Sequence, residues 1–289
     1  MKPSSRTFLV TGATGNVGSN AVSHLVAAGH QVTGLTRSRS APLPPGVQRF
    51  VADLTDSARL QDLPRTDATL LIFPSLTADH AARDIVTRLA SRTEHIVYLS
   101  AHGVERVDPD AGGIMGSHAL VERELALTGV NRTLLRSSGF AANTLMWAPA
   151  IAAGQPVRAI AGDARRTLIH EDDLALVAVE AMTRGPQRPV SSLHLTGPEV
   201  LTQREYAARI GTVLGRTVVF EELSDDEAMA TLFAGMSDDF GRSIIEGQKR
   251  MITDPEARTD TVEEILERPA RPFTEWVRDH EAAFTASPS

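Results

Sequence analysis

The sequence has no cysteine, which excludes disulfides, thiolate zinc sites and cysteine nucleophiles. Lysine is nearly missing too. It stands only at Lys2 and Lys249, so almost all of the 29 basic residues are arginine. Arginine-rich, alanine-rich and lysine-poor usage points to a GC-rich bacterial genome. The basic residues are scattered and the net charge is −7. A nucleic-acid binder's electrostatic footprint is therefore lacking, and no nucleic-acid partner is expected. No apolar run approaches the roughly 18 residues of a membrane span, and Met1–Thr7 is too short and polar for a signal peptide. The expectation is a cytoplasmic protein with no membrane partner. There is also no G-x-S-x-G nucleophile elbow and no P-loop.

What is present is ordinary for a packed globular chain: 289 residues, 42% hydrophobic and 22% charged. Strand-length apolar runs alternate with helical patterns, which argues for βαβ units and a parallel sheet. Thr7–Thr11, Gln31–Thr36, Gln48–Val51, Thr69–Phe73, His95–Ser100, Asn131–Arg136 and Leu193–Thr196 read as strands. Asn16–Ala28 reads as a helix ended by Gly29. Residues 38–46 form a loop. Beyond Thr196 the pattern changes: helix over Thr202–Leu214, a short strand over Thr217–Glu222, mostly helix over Ser224–Arg250 and a last helix within Pro269–Ala283. The expected architecture is α/β, a Rossmann doubly wound parallel sheet in residues 1–200, with a small α/β substrate-side lobe in 201–289. Residues 140–165 contribute to the substrate side.

The strongest motif is Thr11-Gly12-Ala13-Thr14-Gly15-Asn16-Val17-Gly18, between the first strand and the first helix. Gly12 permits a tight turn, Gly15 lets the backbone approach a pyrophosphate, and Gly18 lets the helix pack on the strand. The helix-start amides and the helix dipole then attract the phosphates. The second strand ends at Arg37, with Arg39 two residues on and no acid anywhere between Gln31 and Val51. NAD-binding domains place an acid here for the ribose hydroxyls, whereas a guanidinium suits a 2′-phosphate. NADP(H) is the expected cofactor. Asp53 and Leu54 follow the third strand. Two readings stay open for Asp53: contact with the adenine amine, or a local role in starting a turn or capping Asp56–Leu63.

These residues resemble the NmrA-like members of the atypical short-chain dehydrogenase/reductases, near a quinone-oxidoreductase-like branch. The glycine loop, Arg37, Val51–Leu54, Tyr98–Ser100, His118–Glu122, Thr128-Gly129, Leu134–Arg136 and Phe140–Asn143 carry the likeness. So do Asp172–Ala175, Leu195-Thr-Gly-Pro-Glu199 and the block from Pro269 to Trp276. The resemblance implies that Gly12, Thr14, Asn16, Val17, Arg37, Asp53, Leu54 and Phe73 line the nucleotide. It places Phe73-Pro74-Ser75 beside the adenosine half and Ser100 facing the nicotinamide.

Typical short-chain reductases protonate a carbonyl with a Tyr-x-x-x-Lys pair. This chain lacks it, since His102 and Ile210 stand four residues after its two tyrosines, Tyr98 and Tyr206. In its place His118 and Glu122 lie one helical turn apart. Near its ordinary pKa of about 6.5, His118 is a candidate proton donor with Glu122 orienting it. Ser100 and His102 close the fifth strand, where open α/β sheets bind ligands. Phe140, Asn143, Met146 and Trp147 are candidates for the wall of a flat substrate pocket, with Met229, Phe233, Met236 and Phe240 as a lid or as plain core. In the run His170-Glu171-Asp172-Asp173, Asp172 or Asp173 is read as the cap of a helix over Leu174–Thr183, with no metal site.

The functional expectation is an NADPH-dependent oxidoreductase that reduces a small carbonyl, enone or quinone-like compound by direct hydride transfer. Ser100 and His118 would serve the substrate oxygen. Two alternatives stay open: a non-catalytic NADP(H)-sensing regulator, and a non-redox isomerase or cyclase on the same fold. An oligomer or a regulatory protein partner is compatible with either.

Overall fold

The computed structural model describes residues 5–73, 81–186 and 190–285. In chain order the elements are β1 (Thr7–Val10), α1 (Asn16–Ala27), β2 (Gln31–Thr36), β3 (Gln48–Val51), β4 (Ala68–Leu71), α2 (Ala81–Ala90), β5 (His95–Ala101), α3 (Gly113–Thr128) and β6 (Asn131–Ser137). There follow α4 (Ala148–Ala152), β7 (Val157–Ala159), β8 (Arg165–Arg166), α5 (Glu171–Arg184), β9 (Val190–Leu195), β10 (Leu201–Thr202), α6 (Gln203–Val213) and β11 (Phe220–Glu222). The chain closes with α7 (Asp225–Thr231), α8 (Asp238–Thr253), α9 (Thr261–Leu266), α10 (Phe273–Asp279) and α11 (Glu281–Thr285). It forms two compact units. The first comprises Met1–Ser137, Glu171–Leu195 and Glu264–Glu267; the second Ser138–His170, Thr196–Glu263 and Arg268–Ser289.

The first unit holds a seven-stranded sheet in the order β3-β2-β1-β4-β5-β6-β9, every pairing parallel. This is the Rossmann arrangement, and its order reverses between β1 and β4, where such sheets bind ligands at their carboxyl edge. The central strands are buried on both faces, so they read as continuous apolar runs: β4 and all but the last residue of β5 are buried throughout. α2 buries Ala82, Ile85, Val86 and Leu89, a single helical stripe. They join Leu9, Leu35, Tyr98, Val121 and Leu134 in one core cluster.

α1 ends as its glycine implies. Gly29 has φ +84°. Its N–H donates to the Val26 carbonyl, and the next N–H, of His30, donates to that of Leu25. These are the paired bonds of a Schellman motif.

The second unit is built on two short ladders, β7 with β11 in parallel and β8 with β10 antiparallel. α6 and α7 each open with a capping box, Thr202 with Glu205 and Ser224 with Glu227. Its core stacks Phe273 on Trp276 and Trp276 on His280, with Tyr206 edge-on to Phe273. The Glu199 carboxylate accepts the Phe273 N–H at 2.9 Å, so the Leu-Thr-Gly-Pro-Glu segment and the Pro269–Trp276 block hold each other. A side chain at Gly197 would lie 2.0 Å from the Leu168 carbonyl oxygen, which makes that glycine obligatory.

Met229 and Phe233 belong to the same unit's interior. They pack with Ile160, Leu223 and Ile245, the plain-core alternative to a lid. Met236 is exposed and Phe240 half-buried.

Candidate active site

The glycine loop sits at the carboxyl end of β1, beside the point where the sheet order reverses. Thr11 anchors it: the buried hydroxyl donates to the Ile72 carbonyl at 2.9 Å and accepts the Ile72 N–H at 2.7 Å. Gly12 takes φ +58°, a backbone state costly for any side chain. A Cβ on Gly18 would come within 2.1 Å of the Gly12 carbonyl oxygen, so α1 rests directly on the turn. Above Gly15 the surroundings are different. A Cβ there would meet only the Gly12 oxygen, at 3.4 Å. Gly15 is the N-cap of α1, no side chain caps the helix and no acid stands in its first turn. An open cradle lined by helix-start amides fits a diphosphate. Gly12, Thr14, Gly15 and Asn16 are exposed, whereas Val17 and Gly18 are buried. Any contact from those two is through the backbone, and the Val17 side chain packs inward.

Arg37 and Arg39 are exposed just past β2. Arg37 has no hydrogen bond or ion pair among the described residues, and its charge helps hold the Asp53 carboxyl below its ordinary pKa, behind the larger effect of the Thr55 hydrogen bonds. Asp53 accepts the Thr55 N–H at 2.9 Å and its hydroxyl at 2.7 Å, so it shapes a turn. Leu54 is buried in the sheet's core cluster. The nucleotide-lining place that the resemblance implies for it is corrected: its side chain is buried in a cluster that includes Leu35 and Leu60. Phe73 is half-buried against the same cluster; Pro74 and Ser75 lie outside the described residues.

The polar group at the end of β5 is arranged differently from the sequence expectation. Tyr98 and Ser100, two apart on the strand, project to one face, toward α3. The Ser100 hydroxyl donates to Glu122 Oε1 at 2.6 Å. Arg136, from the end of β6, grips the same carboxylate with two bonds, Nε to Oε1 at 3.1 Å and Nη2 to Oε2 at 2.7 Å. It also reaches Glu105 at 3.4 Å. Glu122 therefore does not orient His118. The partner of His118 is Tyr98, whose hydroxyl lies 2.8 Å from Nδ1. Burial pushes the His118 pKa down to about 4, against a smaller opposing pull from Glu122. The imidazole is neutral near pH 7, and the expected imidazolium donor is corrected. Burial also pushes the Tyr98 phenol up, with Glu122 adding to it.

Sequence reading missed Tyr98 and Arg136 as members of this group. Both left a signal: a tyrosine inside a fully buried strand needs a partner for its hydroxyl, and an arginine at the end of a buried strand needs a counter-charge.

His102 follows β5, its N–H donating to the Ser137 carbonyl at 2.8 Å. Its ring stands edge-on to His194 at 5.6 Å, with Nδ1 buried and unpartnered among the described residues. The other expected pocket residues belong to the second unit. Asn143 is exposed and Phe140 half-buried. Trp147 is buried in that unit's core, edge-on to Phe220, and its remaining edge lines a surface depression with Met146 and Leu232.

The acidic run is also resolved. α5 begins at Glu171, so Asp172 and Asp173 stand in its first turn, where negative charge suits the helix dipole. Asp172 pairs with His24 Nε2 at 2.5 Å, and His170 with Asp279 at 3.3 Å. No helix among the described residues is long and apolar enough to cross a membrane.

The model of a family described as NAD(P)H-binding matches residues 12–184. The chain belongs to that family. It is 35% identical, over 96% of its own length and 99% of the relative's, to a (4-alkanoyl-5-oxo-2,5-dihydrofuran-3-yl)methyl phosphate reductase of Streptomyces griseus. It is 28% identical, over 97% of its length and 100% of the relative's, to an NAD(P)H azoreductase of Xenophilus azovorans. In fold it matches an NADPH-dependent quinone oxidoreductase from Escherichia coli with a TM-score of 0.76 at 23% identity, covering 95% of this chain and 99% of the other. The NmrA-like resemblance agrees with the fold.

Proposed function

We propose that the protein is an NADPH-dependent reductase of a small carbonyl, enone or quinone-like compound. The observation that carries this reading is the placement of two features on one carboxyl sheet edge: the open, uncapped cradle over Gly15 and the Ser100–His118 group at the end of β5. The reductase 35% identical over nearly the whole chain supports it.

The amides at the start of α1 hold the diphosphate, and the Arg37 guanidinium, without an ion pair among the described residues, receives the 2′-phosphate. When bound, NADPH supplies a hydride. His118 faces the oxygen that gains charge through a ring N–H, whereas the Ser100 hydroxyl, expected at that oxygen, is buried and committed to Glu122 and supports the site from beneath.

The test is NADPH oxidation by the purified protein with a panel of quinones and enones, beside Gly15→Val. Oxidation that needs an acceptor and is abolished by Gly15→Val supports the reading. Protein that binds NADPH yet oxidises it with no acceptor overturns it in favour of a sensor.

A further inference from the structure

We propose that Tyr98 holds His118 as a neutral imidazole with its proton on Nε2, and that this N–H meets the substrate oxygen as a hydrogen-bond donor, restricting turnover to conjugated acceptors over isolated ketones. The proposal rests on the reductase reading above and narrows its substrate class.

The tautomer follows from counting donors. Tyr98 is wholly inaccessible to solvent, so its hydroxyl must donate within the protein. Among the described residues its one hydrogen-bonding contact is His118 Nδ1, at 2.8 Å. If Nδ1 bore the ring proton, the phenol hydrogen would face a second donor in a dry site and have no acceptor. Nδ1 therefore accepts, and the proton sits on Nε2. Nε2 has no hydrogen-bond partner among the described residues.

The charges around the ring leave it that way. On α3 the nearest acid is Glu122, and its oxygens are occupied by Ser100 and by Arg136 from β6. Glu105 is turned to Arg136 as well. Tyr98 on β5 is uncharged, its own ionisation opposed by burial.

A neutral imidazole gives a directed N–H but is a very weak acid. Reduction of an isolated ketone concentrates charge on one alkoxide oxygen, which calls for a proton donor as the charge forms. A conjugated acceptor spreads that charge, and an oriented hydrogen bond is enough. For an enone, the hydride and its electron pair enter the β-carbon. The C=C π pair moves to leave an enolate oxygen on the His118 N–H, and water returns a proton to the α-carbon. The substrate is reduced by two electrons and NADPH is oxidised to NADP⁺. For a quinone, the hydride and one solvent proton give the hydroquinone.

The first readout needs no turnover. Imidazole ¹⁵N shifts, with His118→Gln to assign the signal, report the tautomer in the free protein near pH 7. A protonated Nε2 and a bare Nδ1 are expected. In Tyr98→Phe, which keeps the ring and its packing, the two tautomers should mix. That variant should also lose about tenfold in kcat on an enone with the KM for NADPH unchanged. The wild type should reduce enones and quinones and leave a matched saturated ketone untouched. A protonated Nδ1, an imidazolium at neutral pH, or a saturated ketone reduced as fast as the enone overturns this proposal while leaving the reductase standing. No NADPH oxidation with any acceptor removes the reductase reading and this proposal together.

Discussion

Ser100 on β5 and Glu122 on α3 are joined by a 2.6 Å hydrogen bond, and the same carboxylate takes both arms of Arg136. The Arg136 and Glu122 side chains are only 14% and 12% exposed. The group is a fixed frame beneath the candidate active site, and its members answer differently to substitution.

Glu122→Ala leaves a nearly buried guanidinium without its bidentate partner. The expected cost is about 2–4 kcal/mol, seen as a lower urea midpoint of the full chain. A midpoint equal to the wild type's would mean that water replaces the carboxylate without loss.

Two glycines of the loop should separate folding from binding. Gly18→Ala drives a methyl group into the Gly12 carbonyl and should lower the melting temperature together with NADPH affinity. Gly15→Val projects into open space, so it should melt like the wild type and lose NADPH binding in a fluorescence titration. Equal melting losses in both would refute the distinction.

Arg37→Ala removes the guanidinium assigned to the 2′-phosphate. A charge-assisted contact is worth roughly 1.5–3 kcal/mol, so NADPH affinity should fall about 10- to 150-fold while NADH affinity stays put. An unchanged ratio of the two dissociation constants would return the 2′-phosphate to some other group.

His118 and His95 both have pKa values lowered to about 4 by burial. For a base with a depressed folded-state pKa, the unfolded chain binds more protons, so stability rises with pH. The contribution is complete above the ordinary value of 6.5 and is lost as pH falls toward 4. Urea midpoints measured from pH 7.5 down to 4.5 should decline, and a His95→Gln, His118→Gln variant should decline less steeply. A steeper fall in that variant would contradict the assignment.

Local signals in the chain announced local structure. The unbroken apolar run Ile96-Val-Tyr-Leu99 announced a strand covered on both faces, and Gly29 announced its helix end, because both signals act over a few residues. The polar side chains were harder. His118 and Glu122 share a helix face, yet each is taken by β5, His118 by Tyr98 and Glu122 by Ser100. Spacing along one helix carries no record of that. Asp172 shows the same limit: its ion-pair partner His24 lies on α1, far away in sequence. Leu54 was read for its place after β3, and burial among Leu35 and Leu60 decided its direction.

The chain leaves the first unit at Ser138 and returns at Glu171 to supply α5 and β9. During synthesis, six strands of the sheet emerge first, and β6 waits with a bare edge while Ser138–His170 follows. An unpaired edge is a template for another chain. The interval before β9 docks is therefore when this protein is most exposed to aggregation, and nascent chains that stop between Ser137 and Val190 should depend most on chaperones.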